Sequence, residues 1–235
     1  MSVQLMFPNF VFSRSFLGHD KDKDPSMTPE YFQVLKNDID AMRSRDPVGR
    51  SVSNDGGWQS KDGVESSPAF VKCFRGIRRL ISEEMMPFLG LKRHAYSIDM
   101  HNSWANINHR GNWNRPHLHN GCFYSGVLYI QAEGNEGNIQ FLDKDNKIAG
   151  SYPACPRIHE SHLFTPRTGD LHLFPSGLMH LVEPNQSLND RYSISFNLNI
   201  ETTHDINNRQ DDVFIEGDCN YPLVFQIGPD GKLIV

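Results

Sequence analysis

From residue 95 onward the chain is a succession of short runs in which apolar and polar side chains alternate, each run closed by Gly, Pro, Asn or Asp. Alternation at period two sends successive side chains to opposite faces of a strand, and many such short runs bury their apolar faces by folding into a sandwich or barrel. The pattern predicts strands at 95–107, 123–132, 137–143, 162–166, 170–174, 179–183, 191–200 and 212–216, with a closing hairpin over 222–235 turned by Gly228-Pro229-Asp230-Gly231. The run from Arg191 to Leu198 shows it best: polar 191, 193, 195 and 197 alternate with apolar 192, 194, 196 and 198, so one face is a polar ladder headed by a guanidinium.

The first ninety or so residues read differently. Residues 4–16 are rich in Phe and Val, and Pro8 interrupts them, which suits an edge strand or two short strands. Thr28-Pro29 supplies an N-cap and a first-turn proline, and Tyr31, Val34, Leu35, Asp38 and Met42 follow at helical spacing, predicting a helix over 29–44. A second helix, 68–88, carries Phe70, Val71, Phe74, Ile77, Leu80, Ile81 and Met85 on one stripe and should break at Pro87 and Gly90. Between them residues 46–67 are crowded with Gly, Ser and Asp and read as a long loop, with Trp58 either pinning it to the core or overlying a cleft. Helices followed by a run of strands indicate an α+β fold with the helices packed on the sheet.

A chain of 235 residues fits a single domain: an N-terminal helical and loop embellishment (1–90), a core (91–200) and C-terminal strands (201–235). The balance of 23 basic and 28 acidic residues, net −5, argues against a nucleic-acid or anionic-membrane partner. Cys73, Cys122, Cys155 and Cys219 lie far apart without CxxC spacing, and neither a secretory leader nor an apolar run of membrane-spanning length is visible, so a cytoplasmic location is expected. Oligomeric state is not readable from the sequence.

Within the strand region, Arg115-Pro116-His117-Leu118-His119 places two imidazoles two residues apart, able in a strand to share one metal ion. His180, after the Pro175-Ser176-Gly177 turn, is the candidate for a third ligand, and three protein ligands leave open positions for small molecules. Arg191, with Ser193 on the same face, offers a planar fork matched to a carboxylate. Other histidines read more plainly. His159-Glu160-Ser161-His162 is one residue short of a zincin motif and lies outside any helix, and His172 reads as a surface or satisfied core histidine. Asp143 reads as the first residue of a turn.

Taken together, Asn106/Asn108, Gly111, His117-x-His119, the Gly126-Val127-Leu128-Tyr129-Ile130 strand, Gly137-Asn138-Ile139-Gln140-Phe141, Gly169-Asp170, Phe174-Pro175, His180 and Arg191-x-Ser193 resemble the iron(II)- and 2-oxoglutarate-dependent dioxygenases. The resemblance is to their prolyl-4-hydroxylase-like branch and to an uncharacterised bacterial and phage-borne group, and covers about residues 95–200, together with the Ser53-Asn54 to Ser60 loop. It implies a double-stranded β-helix (jelly roll, cupin-like) in which His117, His119 and His180 hold Fe(II). It also implies that Arg191 pairs with the C5 carboxylate of 2-oxoglutarate aided by Ser193 and Tyr129, and that Asn106 or Asn108 contacts the other end of that cosubstrate. The implied activity is O2-dependent hydroxylation of a small-molecule or peptidyl substrate with decarboxylation of 2-oxoglutarate to succinate. The family's usual motif is His-x-Asp or His-x-Glu, and here His119 stands at the carboxylate position. That departure leaves two alternatives open: a non-catalytic cupin-like module that binds a metal or an organic anion, and a three-histidine dioxygenase that uses no 2-oxoglutarate.

Overall fold

The computed structural model describes residues 9–18, 27–91, 96–143 and 161–202, together with the backbone of short strands at 3–4, 224–227 and 233–234. The expected strand at 212–216, the turn at 228–231, His159, Glu160 and most of the turn after Asp143 lie outside the described residues.

In chain order the elements are β1 (Val3–Gln4), β2 (Phe12–Ser15), α1 (Pro29–Arg45), β3 (Asn54–Asp55), β4 (Trp58–Gln59), α2 (Val71–Leu80), α3 (Met86–Phe88), β5 (Tyr96–Asn108), β6 (Trp113–His117), β7 (Tyr124–Gln131), β8 (Ile139–Leu142), β9 (Ser161–Phe164), β10 (Asp170–Pro175), β11 (His180–Val182), β12 (Arg191–Thr202), β13 (Val224–Ile227) and β14 (Leu233–Ile234). The chain separates into two compact units, one of Val11–Ile77 with Asp99–Asn199, the other of Met1–Phe10, Arg78–Ile98 and Ile200–Val235. The second unit contains the three-stranded sheet β1, β13, β14. The first is built on two sheets, a six-stranded one ordered β2, β10, β7, β12, β5, β4 and a five-stranded one ordered β3, β6, β11, β8, β9. Val127, Tyr129 and Phe174 from the larger sheet and Ile139, Phe141, Phe164 and Val182 from the smaller share one apolar cluster, so the sheets face each other as a jelly roll.

The alternation of β12 explains how the layers are assigned. Its apolar phase is covered by helices: Phe196 meets Phe74 of α2 edge to face at 5.9 Å, while the Tyr192 hydroxyl donates to Asp40 of α1 at 2.8 Å beneath the Lys36 ammonium. Its polar phase, Arg191, Ser193, Ser195 and Asn197, therefore points inward between the sheets rather than to solvent. Gly126 of β7 lies across from Phe196, and a Cβ there would overlap that ring and approach Leu173 to 2.7 Å, so only glycine lets these layers close.

Both helices form where periodicity places them, with differences in detail. Thr28 caps α1 by accepting from the Tyr31 N–H. The buried stripe of α1 is Phe32, Leu35 and Ile39, whereas Val34, counted in the expected stripe, is 50% exposed. Phe32, Leu35 and Ile39 form a stripe without a polar member, whereas the expected one includes Asp38, and the wholly apolar stripe turns inward. The second helix continues through a π-helical turn, Ile81–Met85, which widens the hydrogen bonding ahead of Pro87, so the helix ends at Gly90 and not at the proline. Residues 46–67 are not wholly irregular: β3 pairs with β6 and β4 with β5. No helix among the described residues is long and apolar enough to cross a membrane.

Candidate metal and cosubstrate site

β6, a strand that composition around Pro116 conceals, ends at His117, directly opposite His180 at the start of β11. His119 lies just past the strand end, and the loop that carries it is held by its own N–H donating to the Ser176 carbonyl at 2.9 Å. Ser176 is buried and its hydroxyl is fixed by Ser125 and Cys122, so the turn leading to His180 and the loop carrying His119 are tied together. Strand geometry thus accounts for His117 and His180, and this tie accounts for His119. The ligating nitrogens of the three all lie within 4.8 Å of one another.

The tautomers suit a metal. Nδ1 of His117 sits 2.7 Å from the Arg115 carbonyl and Nδ1 of His180 sits 2.9 Å from the Leu178 carbonyl. A carbonyl only accepts, so both Nδ1 atoms carry the proton and both Nε2 lone pairs face the centre. Burial lowers the pKa of all three imidazoles, His119 to about 4 and His180 to about 3, where repulsion from the neighbouring imidazoles adds to the effect, so the ligating neutral form prevails at neutral pH. Three neutral nitrogens aimed at one point fit a divalent transition metal.

This burial has a measurable consequence. The folded-state pKa values of His119, His180 and His172 lie below 6.5, so between about pH 6.5 and 4 the unfolded chain binds more protons and stability falls as pH falls. Metal-free protein should lose roughly 2 kcal/mol per buried histidine on going from pH 7 to about 5. Urea midpoints in the presence of a chelator check this, and an unchanged midpoint would contradict the burial of these rings. His172 contributes without being near the cluster. It is 5% exposed, bonds Ser13 through Nδ1 at 2.8 Å, and packs on Phe164 and Tyr129, which makes it a core histidine.

Beside the histidines lies a cavity lined by Tyr129, Arg191, Ser193, Asn106 and Asn108 together with His117, His119 and His180. Arg191 is 2% exposed, and Nη1 donates to the carbonyls of Glu136 at 2.5 Å and Gly137 at 3.3 Å. Gly137 adopts φ +90°, where a Cβ would run into the Glu183 and Pro184 backbone, so the turn that presents these carbonyls requires glycine. Arg191 makes no ion pair among the described residues. Burial disfavours its charge, and the nearby Glu136 carboxylate and Tyr129 offset part of that. Burial also pushes Tyr129 up to about 12, keeping its hydroxyl protonated and able to donate. The Tyr129 and Ser193 hydroxyls and the Asn108 amide have no side-chain hydrogen-bond partner among the described residues, while Asn106 donates to Ser195 at 3.2 Å and keeps its carbonyl oxygen free. A buried guanidinium and several unpaired donors around one cavity are arranged for an anion.

Several residues of the site carry no signal of their own in the sequence. Trp104, whose ring stands 5.7 Å from that of His119, and Gln59, on β4, line the outer pocket. The shared phase of Asn102, Trp104, Asn106 and Asn108 along β5 is the one hint that Trp104 faces inward. Trp58 itself pins the loop, its Nε1 donating to the Asp46 carbonyl at 2.8 Å, while its neighbours Gln59, Ser53 and Val52 line the cleft.

Residues 102–197, which hold all three histidines and Arg191, match the sequence model of a family described as "Putative 2OG-Fe(II) oxygenase". No curated protein matches the sequence. Among solved structures the chain is similar to a prolyl-4-hydroxylase from Pseudomonas putida, at 15% identity and a TM-score of 0.53 over 80% of this chain and 91% of that one. It is similar to a Trichoplax adhaerens prolyl hydroxylase in complex with a hypoxia-inducible-factor peptide fragment (16% identity, TM-score 0.53, 80% and 82% coverage). A third is HygX from Streptomyces hygroscopicus with nickel, 2-oxoglutarate and hygromycin B bound (10% identity, TM-score 0.52, 81% and 83% coverage). At such identities the structural likeness speaks for the fold, and the family model matches the segment that holds the three histidines and Arg191.

Proposed function

We propose that His117, His119 and His180 hold Fe(II) and that Arg191 anchors 2-oxoglutarate in an oxygenase that hydroxylates an organic substrate. The observation that carries this reading is the convergence of two free Nε2 lone pairs, a third imidazole and an otherwise unpaired buried guanidinium on one cavity. When bound, iron with 2-oxoglutarate supplies O2 activation, and the cosubstrate leaves as succinate and CO2.

The protein's own residues do the rest. Arg191 offers its remaining donors as a fork to the distal carboxylate, Tyr129 and Ser193 add hydroxyl donors to the same group, and Asn106 or Asn108 meets the end nearer the histidines. The Arg115 and Leu178 carbonyls hold two imidazoles in their ligating tautomer, so no proton must move for the metal to bind. The cluster of Phe141, Phe174 and Val127 keeps one wall of the inner cavity dry. Small-molecule or peptidyl substrates would enter from the open side beneath the 46–67 segment. The free thiols of Cys73 and Cys122 support a reducing, cytoplasmic setting.

Anaerobic titration with Fe(II) and 2-oxoglutarate tests the proposal. The expected result is the weak visible charge-transfer band of the chelate, followed by succinate when O2 is admitted with substrate or, slowly, without it. Full metal loading with neither band nor succinate would instead support the metal- or anion-binding module that His119 suggests. O2 uptake without succinate would support a three-histidine dioxygenase.

A further inference from the structure

Outside the histidines the cleft widens into a pocket of about 510 Å³ whose wall includes His117, His119, Trp104, Gln59 and Arg115. Its polar groups are not equally engaged. Asn197 donates to Asn102 at 2.8 Å and accepts from Ser125 at 2.7 Å, so this amide pair is largely satisfied within the protein. Gln59 is different. It is 5% exposed, yet its side-chain amide has no hydrogen-bond partner among the described residues. The amide opens on the pocket, and no group of the described residues engages it. It is therefore available to a ligand group that both accepts and donates.

The charges at the mouth are also unequal. Arg50 is matched by Asp62 at 2.9 Å. Arg115 donates to the Val52 carbonyl at 3.1 Å and makes no ion pair among the described residues, which leaves the mouth one positive charge in excess. Trp104 offers a flat wall beside His119, against which a planar group can lie.

We propose that this pocket binds the substrate and that the substrate is an amide-bearing carboxylic acid, its carboxylate held by Arg115 and its amide by Gln59. This rests on the reading of the three histidines and Arg191 as the metal and cosubstrate centre, because that reading makes the pocket the approach to the reacting atoms. A carboxylate matches the fork of Arg115, and an amide presents to Gln59 one acceptor and one donor in a plane.

The test uses a nearly isosteric pair, N-acetyl-alanyl-alanine and its C-terminal amide, of which only the acid is charged, titrated calorimetrically into full-length protein. Ni(II) and saturating 2-oxoglutarate are present so that Arg191 is occupied. The acid should bind about fivefold tighter than the amide, as an exposed arginine pair allows. Arg115→Gln should abolish that preference and leave the affinity of the amide form unchanged, while Gln59→Leu should weaken both forms alike. Neither change should alter 2-oxoglutarate affinity. Equal binding of acid and amide, a preference that survives Arg115→Gln, or no saturable binding of either probe overturns the proposal. The same titrations on metal-free protein keep the two readings apart. Failure of wild-type protein to bind 2-oxoglutarate counts against the oxygenase reading, whereas the charge preference of the outer pocket is still measured there. Arg115 is exposed, so its substitution does not put folding at risk.

Discussion

Replacing Arg191 by Ala should weaken 2-oxoglutarate binding to Fe(II)-loaded protein by about 30-fold or more, with metal affinity left within about twofold of the parent. The magnitude follows from burial. Arg191 is 2% exposed at the wall of the inner cavity, so a carboxylate that reaches it gives up most of its water and depends on the guanidinium for its charge balance. The selectivity follows from position: the side chain is anchored on the Glu136 and Gly137 carbonyls and not on any metal-binding histidine. Arg191→Lys separates charge from shape. A lysine keeps the charge but cannot donate a planar fork while also holding both carbonyls, so its affinity should fall between those of the parent and the alanine variant. The charge-transfer band, titrated with 2-oxoglutarate under anaerobic conditions, reads all three. Near-UV circular dichroism checks that the variants keep their packing, since truncation leaves two buried carbonyls without their donor. An alanine variant with parental 2-oxoglutarate affinity would show that the anion site lies elsewhere.

How far this site could be read without coordinates depended on whether its residues announce themselves locally. Arg191 and Ser193 belong to the alternating sequence of β12, so their shared inward face follows from phase, whereas Tyr129 lies in the all-apolar run of β7 and is brought to that face by its pairing with Ser193. His117 and His180 could be named from motif and turn chemistry, but their direct opposition belongs to a pairing of β6 with β11, strands more than sixty residues apart, that no local pattern reports. β6 itself was hidden: Trp113-Asn114-Arg115-Pro116-His117 has neither alternation nor β-branched residues, and it is a strand because β3 and β11 offer it partners on both sides. Gln59 and Trp104 were illegible for another reason. A glutamine or a tryptophan is as common at ordinary positions as at ligand-lining ones, and only the missing hydrogen-bond partner and the proximity to His119 mark them. The same limit applied to α1, where the apolar positions allowed more than one stripe and the one without a polar member, Phe32, Leu35 and Ile39, is buried.

His119 is where the departure from the family's usual motif can be decided. If it is a ligand, His119→Ala should lower Fe(II) affinity by more than about 100-fold, beyond the 10- to 100-fold typical of losing an outer-shell partner, and His180→Ala should do the same. His119→Asp should retain metal, because it restores the carboxylate of the common His-x-Asp pattern, and it should hold Fe(II) to a lower pH than its neutral parent. The carboxylate adds a negative charge that strengthens the hold on the cation, so a higher proton concentration is needed to displace it. The alternative is that the His119 ring, 5.2 Å from His180 with the two planes only 14° apart, is stacked on the cluster without ligating. Stacked rings of that kind would tolerate alanine with little loss of metal. Competition of each variant against a chelator of known affinity, run at neutral pH and near pH 5.5, separates these outcomes. Metal binding that is undiminished in His119→Ala but abolished in His180→Ala would reduce the centre to two histidines. A third ligand would then have to come from the cosubstrate or water, and the extra imidazole would be left as part of the wall shared with Trp104.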